Sequence, residues 1–208
     1  MKKLIINSDD YGRSHEISEG IRLAHRHGVV TSSTCMMNIP TTADDVRLAV
    51  KETPTLGLGV HLVLTMGKPI LKHEAVRSVT DANGDFFKYT PFIENIPNLK
   101  IEEVKAEWRA QIEAFIQAAG KKPDHLDSHH HSSYFAPELF RAMLELAKEY
   151  DCPIRYPFSG GISGELSETY KQTPALLKEF TPKRPDVFIV DFYDKQATAD
   201  VLTELLLN

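Results

Sequence analysis

Leu4-Ile5-Ile6-Asn7-Ser8-Asp9-Asp10-Tyr11-Gly12 opens the chain with a short β-branched run that ends on two acids. Such a run predicts a strand buried on both faces, the kind that belongs in a parallel sheet. Asp9 and Asp10 then stand where the strand gives way to a loop, the end at which α/β folds gather their catalytic groups. Taken alone, an Asp pair before Tyr-Gly is equally a turn, or a cap for the next helix with Ser14 as a second capping residue.

Outward from this stretch, strand and helix patterns alternate. Ser14 to His27 reads as a helix with Ile17, Ile21, Leu23 and Ala24 on its apolar face and Gly28 closing it, His25 and His27 being structural at its C-terminus. Val29 to Met37 predicts the second strand, Thr41 or Thr42 caps a helix through Glu52, and Leu56 to Leu64 is a third strand. His61 stands alone inside that apolar strand, as a core histidine or as a ligand if the strand ends beside Asp9 and Asp10. Residues 66–100 lack clean periodicity and read as an insertion whose rings, Phe86, Phe87 and Tyr89, either cover a substrate or pack the loop down.

Val104, Trp108, Ile112, Phe115 and Ile116 mark a long helix from Lys100 to Ala119, with Trp108 in the core and Gly120 as the stop. Further on come a helix from Pro137 to Tyr150, a short strand from Pro153 to Pro157, a strand from Val187 to Tyr193 and a helix from Ala197 to Leu207. Ser159 to Gly164 reads as a loop, its Gly160-Gly161 too short for a phosphate-binding turn. Alternation repeated about six times implies an α/β fold with a largely parallel sheet, an incomplete barrel or an open sheet.

The chain has 208 residues, 42% of them hydrophobic, which suits one domain with a substantial core. Its net charge of -5, without long runs of one sign, argues against nucleic-acid or anionic-membrane partners. Two cysteines far apart, Cys35 and Cys152, indicate neither a disulfide scaffold nor a zinc knuckle. With no signal-peptide core and no membrane-length apolar run, the expected location is cytoplasmic.

Asp124-His125-Leu126-Asp127-Ser128-His129-His130-His131 concentrates four of the nine histidines beside two carboxylates. With Pro123 before it and Pro137 after, it predicts a short strand running into a loop, with His125, Asp127 and His129 on one face. That donor set suits a divalent transition metal such as zinc, or magnesium or manganese where oxygen ligands join; the plainer reading is a solvated loop. Arg155, in an apolar setting, is expected either to hold a carboxylate in the site or to make a surface ion pair. Two histidines and a carboxylate would leave open positions for water and substrate, with a second aspartate to take a proton.

Asn7 to Gly12, Gly59 to Pro69 and Lys122 to His131, in that order and spacing, resemble the YdjC-like carbohydrate deacetylases. The resemblance spans roughly residues 3–195 and implies a deformed (β/α) barrel of the polysaccharide-deacetylase type. It also implies removal of acetyl groups from N-acetylated sugars such as chitooligosaccharides, with a bound divalent metal, magnesium first and zinc as the alternative. By the same resemblance His61 and His125 are metal-binding, Asp10 is the metal-side aspartate and Asp9 the general base. His129 then either backs a ligand or meets substrate and Asp127 holds a ligand imidazole, while Arg155, from its own setting, is assigned to the substrate side. The resemblance also exposes a departure: family members carry a His-Pro pair in a later strand, and no His-Pro occurs here. A shortened, catalytically impaired homologue that still binds metal or sugar is therefore the alternative reading, with His129 as a substitute acid otherwise. Another metal-assisted hydrolase with the same ligands is a third reading. An open barrel edge also leads us to expect a homo-oligomer, a dimer in the simplest case.

Overall fold

The structure is a computed structural model that describes residues 3–157, 167–189, 192 and 194–207. Four parallel strands, β1 (Asn7–Tyr11), β2 (Ser32–Cys35), β3 (Gly57–Leu62) and β4 (Leu126–Ser128), lie side by side in chain order. Parallel neighbours need crossovers, and helices supply them. α1 (His15–His27) links β1 to β2 and α2 (Thr42–Glu52) links β2 to β3. The insertion, with its short helix α3 (Tyr89–Asn95), and then α4 (Ile101–Ala119) link β3 to β4. α5 (Pro137–Tyr150), α6 (Ser167–Phe180) and α7 (Ala199–Leu207) follow.

β1 starts three residues later than the apolar run suggests, and Leu4 and Ile5 stay 51% and 66% exposed. The cause is its place at the edge of the sheet. The Thr31 and Ser32 amides both donate to the Ile6 carbonyl, and only then does the ladder begin with Asn7 opposite Ser32. The strand expected over Pro153 to Pro157 reduces to one parallel bridge between Ile154 and Leu126. Of the strand expected over Val187 to Tyr193, residues 187–189 are not strand, while 190, 191 and 193 lie outside the described residues, as does the Ser159 to Gly164 loop.

The core forms between the sheet and the apolar faces of α4 and α5, where Trp108, Ile112, Phe115, Leu139, Phe140 and Met143 are fully buried. α4 also fixes the insertion. Glu107 accepts from the Ile70 and Leu71 amides, both at 2.9 Å, and Glu103 from Ser78 at 2.8 Å. Phe86 is buried, so that ring packs the insertion down as the plainer expectation held. The buried face of α1 is Ser18, Ile21 and Arg22 rather than a hydrophobic stripe, because it lies against the polar turn that leaves β1. Among the described residues no helix is long and apolar enough to cross a membrane.

Candidate metal centre at the strand ends

The register between β1 and β2 slips between Ser8 and Tyr11, and within that bulge Asp10 takes a left-handed φ of 67°. This conformation is unfavourable for any residue but glycine, and Asp is among the side chains that tolerate it best. The turn is held from both sides. The Gly12 amide donates to Ser18 Oγ (3.0 Å), Thr42 Oγ1 donates to the Gly12 carbonyl (3.1 Å), and Ser18 Oγ donates to the buried Asp45 carboxylate (2.8 Å). Gly12 itself has φ 90° and a Cβ there would lie 2.2 Å from Thr42 Oγ1, so the close approach requires glycine.

β3 and β4 run in register with His61 opposite Asp127. His61 Nδ1 donates to Asp127 Oδ1 at 2.6 Å, which fixes the ring and leaves Nε2 free to face the strand ends. There Nε2 lies 3.4 Å from Asp10 Oδ1 and 3.4 Å from His129 Nδ1, and His129 Nδ1 lies 3.1 Å from Asp10 Oδ1. Asp10 Oδ1 is buried without a hydrogen bond. Ligand atoms around one cation with bonds of about 2.1 Å are separated by about 3.0–3.4 Å, so this triangle fits a divalent ion. Burial opposes the charge of His61, but Asp127, Asp10 and Asp9 outweigh it and raise the imidazole to about 10. Burial likewise opposes the Asp10 carboxylate, and the two imidazoles override it to hold the group well below the usual range.

The side chains that the structure brings together differ from the set the resemblance implied. Asp10 and His61 come together with His129, not with His125. Alternate residues of a strand share a face but stand about 6.6 Å apart along it, so His125, Asp127 and His129 occupy three successive levels. His125 lies at the lowest, packed over Gly59, where a Cβ would meet its Cε1 at 2.6 Å. Burial pushes its pKa down. Asp127 is level with His61, and only His129 reaches the mouth.

Arg155, one residue beyond the Ile154 bridge, was expected to hold a carboxylate or face substrate. Its guanidinium is committed to the chain's own acids: Nη1 and Nη2 grip Asp9 at 2.8 and 2.5 Å, and Nη2 pairs with Asp127 Oδ2 at 2.6 Å. Asn7 Nδ2 adds a bond to Asp9 Oδ1 at 2.7 Å. Burial would raise both carboxyls, but Arg155 holds Asp9 low, and Arg155 with His61 holds Asp127 low. Burial opposes the Arg155 cation too, and these two acids raise its pKa regardless.

The rim follows from an irregular turn. His130 and His131 both have left-handed φ, 54° and 57°, as the chain leaves β4. Thr65 Oγ1 lies 3.0 Å from His130 Nδ1, and the His130 ring stacks over His129 at 3.9 Å between centroids. Burial and the neighbouring His129 bring His130 down to about 4. The Tyr89 ring stands edge-on to His130 at 5.3 Å and to Phe135 at 5.8 Å. His131 Nδ1 is buried with no hydrogen-bond partner. Thr65 drew no functional expectation of its own from the sequence, because a hydroxyl just past a strand carries no distinguishing signal; His131 was expected only as one of the His-rich segment.

A parallel α/β sheet that gathers two imidazoles and a carboxylate at one set of strand ends, with a second acid beside them, presents a group that could hold a metal ion. The chain belongs to the YdjC-like protein family, whose model matches residues 3–208. It is 37% identical over 207 residues to a carbohydrate deacetylase of Enterococcus faecalis, covering 99% of this chain and 74% of the relative. A carbohydrate deacetylase of Brevibacillus brevis is 46% identical over 76% of this chain and 61% of its own length. A chitooligosaccharide deacetylase of Proteus mirabilis is 38% identical over 73% of this chain and 58% of its own. The chain thus spans about three fifths to three quarters of these relatives. The crystal structure of a protein described as a candidate cellobiose-phosphate cleavage protein of E. faecalis superposes with a TM-score of 0.84 at 37% identity, over 99% of this chain and 74% of that one. That agreement bears out the barrel-like α/β expectation.

Proposed function

We propose that this protein is a divalent-metal-dependent hydrolase that removes acetyl groups from N-acetylated sugars or short oligosaccharides. The observation that carries the reading is the Asp10, His61 and His129 triangle with Asp9, one residue away, clamped by Arg155. The names of the relatives supply the substrate class. A divalent cation, magnesium first and zinc as the alternative, supplies Lewis acidity toward the amide carbonyl. Asp10, His61 and His129 would hold it, and Asp127 keeps His61 in the tautomer that presents Nε2.

Asp9, held by Arg155 with 42% of its side chain open to solvent, is the proton carrier in this reading. Arg155 keeps it ionised throughout the neutral range, so it accepts one proton from the attacking water as the new C–O bond forms. The C–N bond then breaks, and Asp9 returns that proton to the departing nitrogen, leaving acetic acid and a free amine, between which the remaining proton passes to give acetate and ammonium. Acetate release from N-acetylglucosamine oligomers, with magnesium, zinc or cobalt added, tests the proposal. Asp9→Asn should cost about 10²–10⁴-fold in kcat while leaving metal binding intact. His129→Ala should abolish stoichiometric metal binding, and His125→Ala should not. A bound metal without acetate release from any substrate would move the reading to a binding protein.

A further inference from the structure

α1 carries apolar residues that its own fold does not use. Of those that mark the helix in the sequence only Ile21 is buried, while Ile17 and Leu23 stay 38% and 44% exposed. The inner side of the helix, Ser18, Ile21 and Arg22, lies against the polar turn after β1. Down its outer side run Glu16, Gly20, Leu23 and His27, four, three and four residues apart, so they line one strip. All four are exposed, and a Cβ on Gly20 would meet no atom within 4 Å. Glu19 and Arg26 lie along one side of this strip, and among the described residues neither makes an ion pair.

The strip is its own complement when reversed. It is acidic toward the helix N-terminus, with Glu16 and Glu19, and basic toward the C-terminus, with Arg26 and His27. A partner of uniform charge would be attracted at one end and repelled at the other, whereas a second copy run in the opposite direction matches both. Reversal about a twofold axis at the middle of the strip sets Leu23 of each copy over Gly20 of the other, where the missing side chain leaves a hole for it. The same operation sets Glu16 over His27 and brings Glu19 of each copy toward Arg26 of the other. We propose that the outer face of α1 is the contact surface of a homodimer in which two copies of this helix pack antiparallel. Such a dimer is independent of what the candidate metal centre hydrolyses. Thirteen residues make a helix about 20 Å long, so the contact is small and the expected affinity micromolar.

Sedimentation velocity over about 1–100 µM tests this with wild type, Glu19→Arg, Arg26→Glu and the double variant. Wild type should dimerise with rising concentration. Each single reversal sets like charges opposite one another at both ends of the contact and should weaken the dimer at least about tenfold. The double variant should recover it, and an equimolar mixture of the two single variants should form a mixed dimer, since one copy then presents only cations and the other only anions at these positions. A wild type that stays monomeric throughout overturns the proposal. So does a dimer that neither reversal weakens, or a loss that neither the double variant nor the mixture restores.

Discussion

Replacing Arg155 by methionine should destabilise the protein more than any other single change at the site. The guanidinium is 10% exposed and Asp127 is fully buried, so the pair at 2.6 Å has no solvent to fall back on once the cation is gone. Removing one partner of a buried pair costs about 3–5 kcal/mol, chiefly the penalty of the stranded charge. The Asp9 side adds less, since 42% of that side chain faces solvent and screening discounts it. For a chain of this size, about 3–5 kcal/mol lowers Tm by roughly 6–20 °C. The pH dependence has a defined sign. Asp127 has a folded pKa below its unfolded value, so its contribution is full above about 3.8 and is lost as pH falls through the folded value. Without Arg155 the folded pKa rises, and the stability gap between variant and wild type is widest near neutral pH and narrows in acid. Thermal and urea unfolding followed by tryptophan fluorescence at pH 7 and pH 3.5 measure both quantities, Trp108 being the sole tryptophan. A Tm within 2 °C of wild type, or a gap that widens in acid, would refute the assignment of Arg155 as the counter-charge of Asp127.

Other outcomes follow from single contacts. Gly59→Ala sets a Cβ 2.6 Å from the His125 carbonyl oxygen as well as its ring, so backbone must shift; denaturant unfolding should show a loss of about 1–3 kcal/mol. Asp127→Asn replaces the carboxylate that accepts from His61 by a neutral amide, and metal affinity by calorimetry should fall about 10–100-fold. Arg141→Ala breaks an exposed pair with Glu179 and a cation–π contact over Phe180 at 5.4 Å, and its unfolding free energy should fall by about 1 kcal/mol or less.

Much of this was legible in the sequence, for reasons that differ by residue. The Asp9-Asp10 pair after an apolar run, and one histidine inside another, mark strand ends because parallel strands put polar residues only where they emerge from the core. The long helices are equally plain, since α4 and α5 carry a recurring apolar face. Arg155 stood out as a charge in an apolar setting, but its partner Asp9 lies 146 residues away and is chosen by sheet order, which no local pattern encodes.

What the strand pattern cannot supply is height. A period of two says that His125, Asp127 and His129 share a face and leaves open which of them is level with His61. That is settled by register, and register is set where the chain enters β4: the Asp124 carboxylate takes the Leu58 amide at 2.7 Å and the Val60 amide takes the His125 carbonyl at 3.0 Å. Those two bonds place Asp127 beside His61 and push His129 to the mouth. The ligands at that mouth then need backbone that no propensity favours, for Asp10, His130 and His131 all have positive φ without being glycine. Local preference and global fold disagree at these three residues, and all three line or adjoin the same few ångströms of space. Asp151 and Thr181 also have positive φ away from the site, but three such residues gathered at one mouth point to a site built to hold something, because packing alone would have been satisfied more cheaply by glycine.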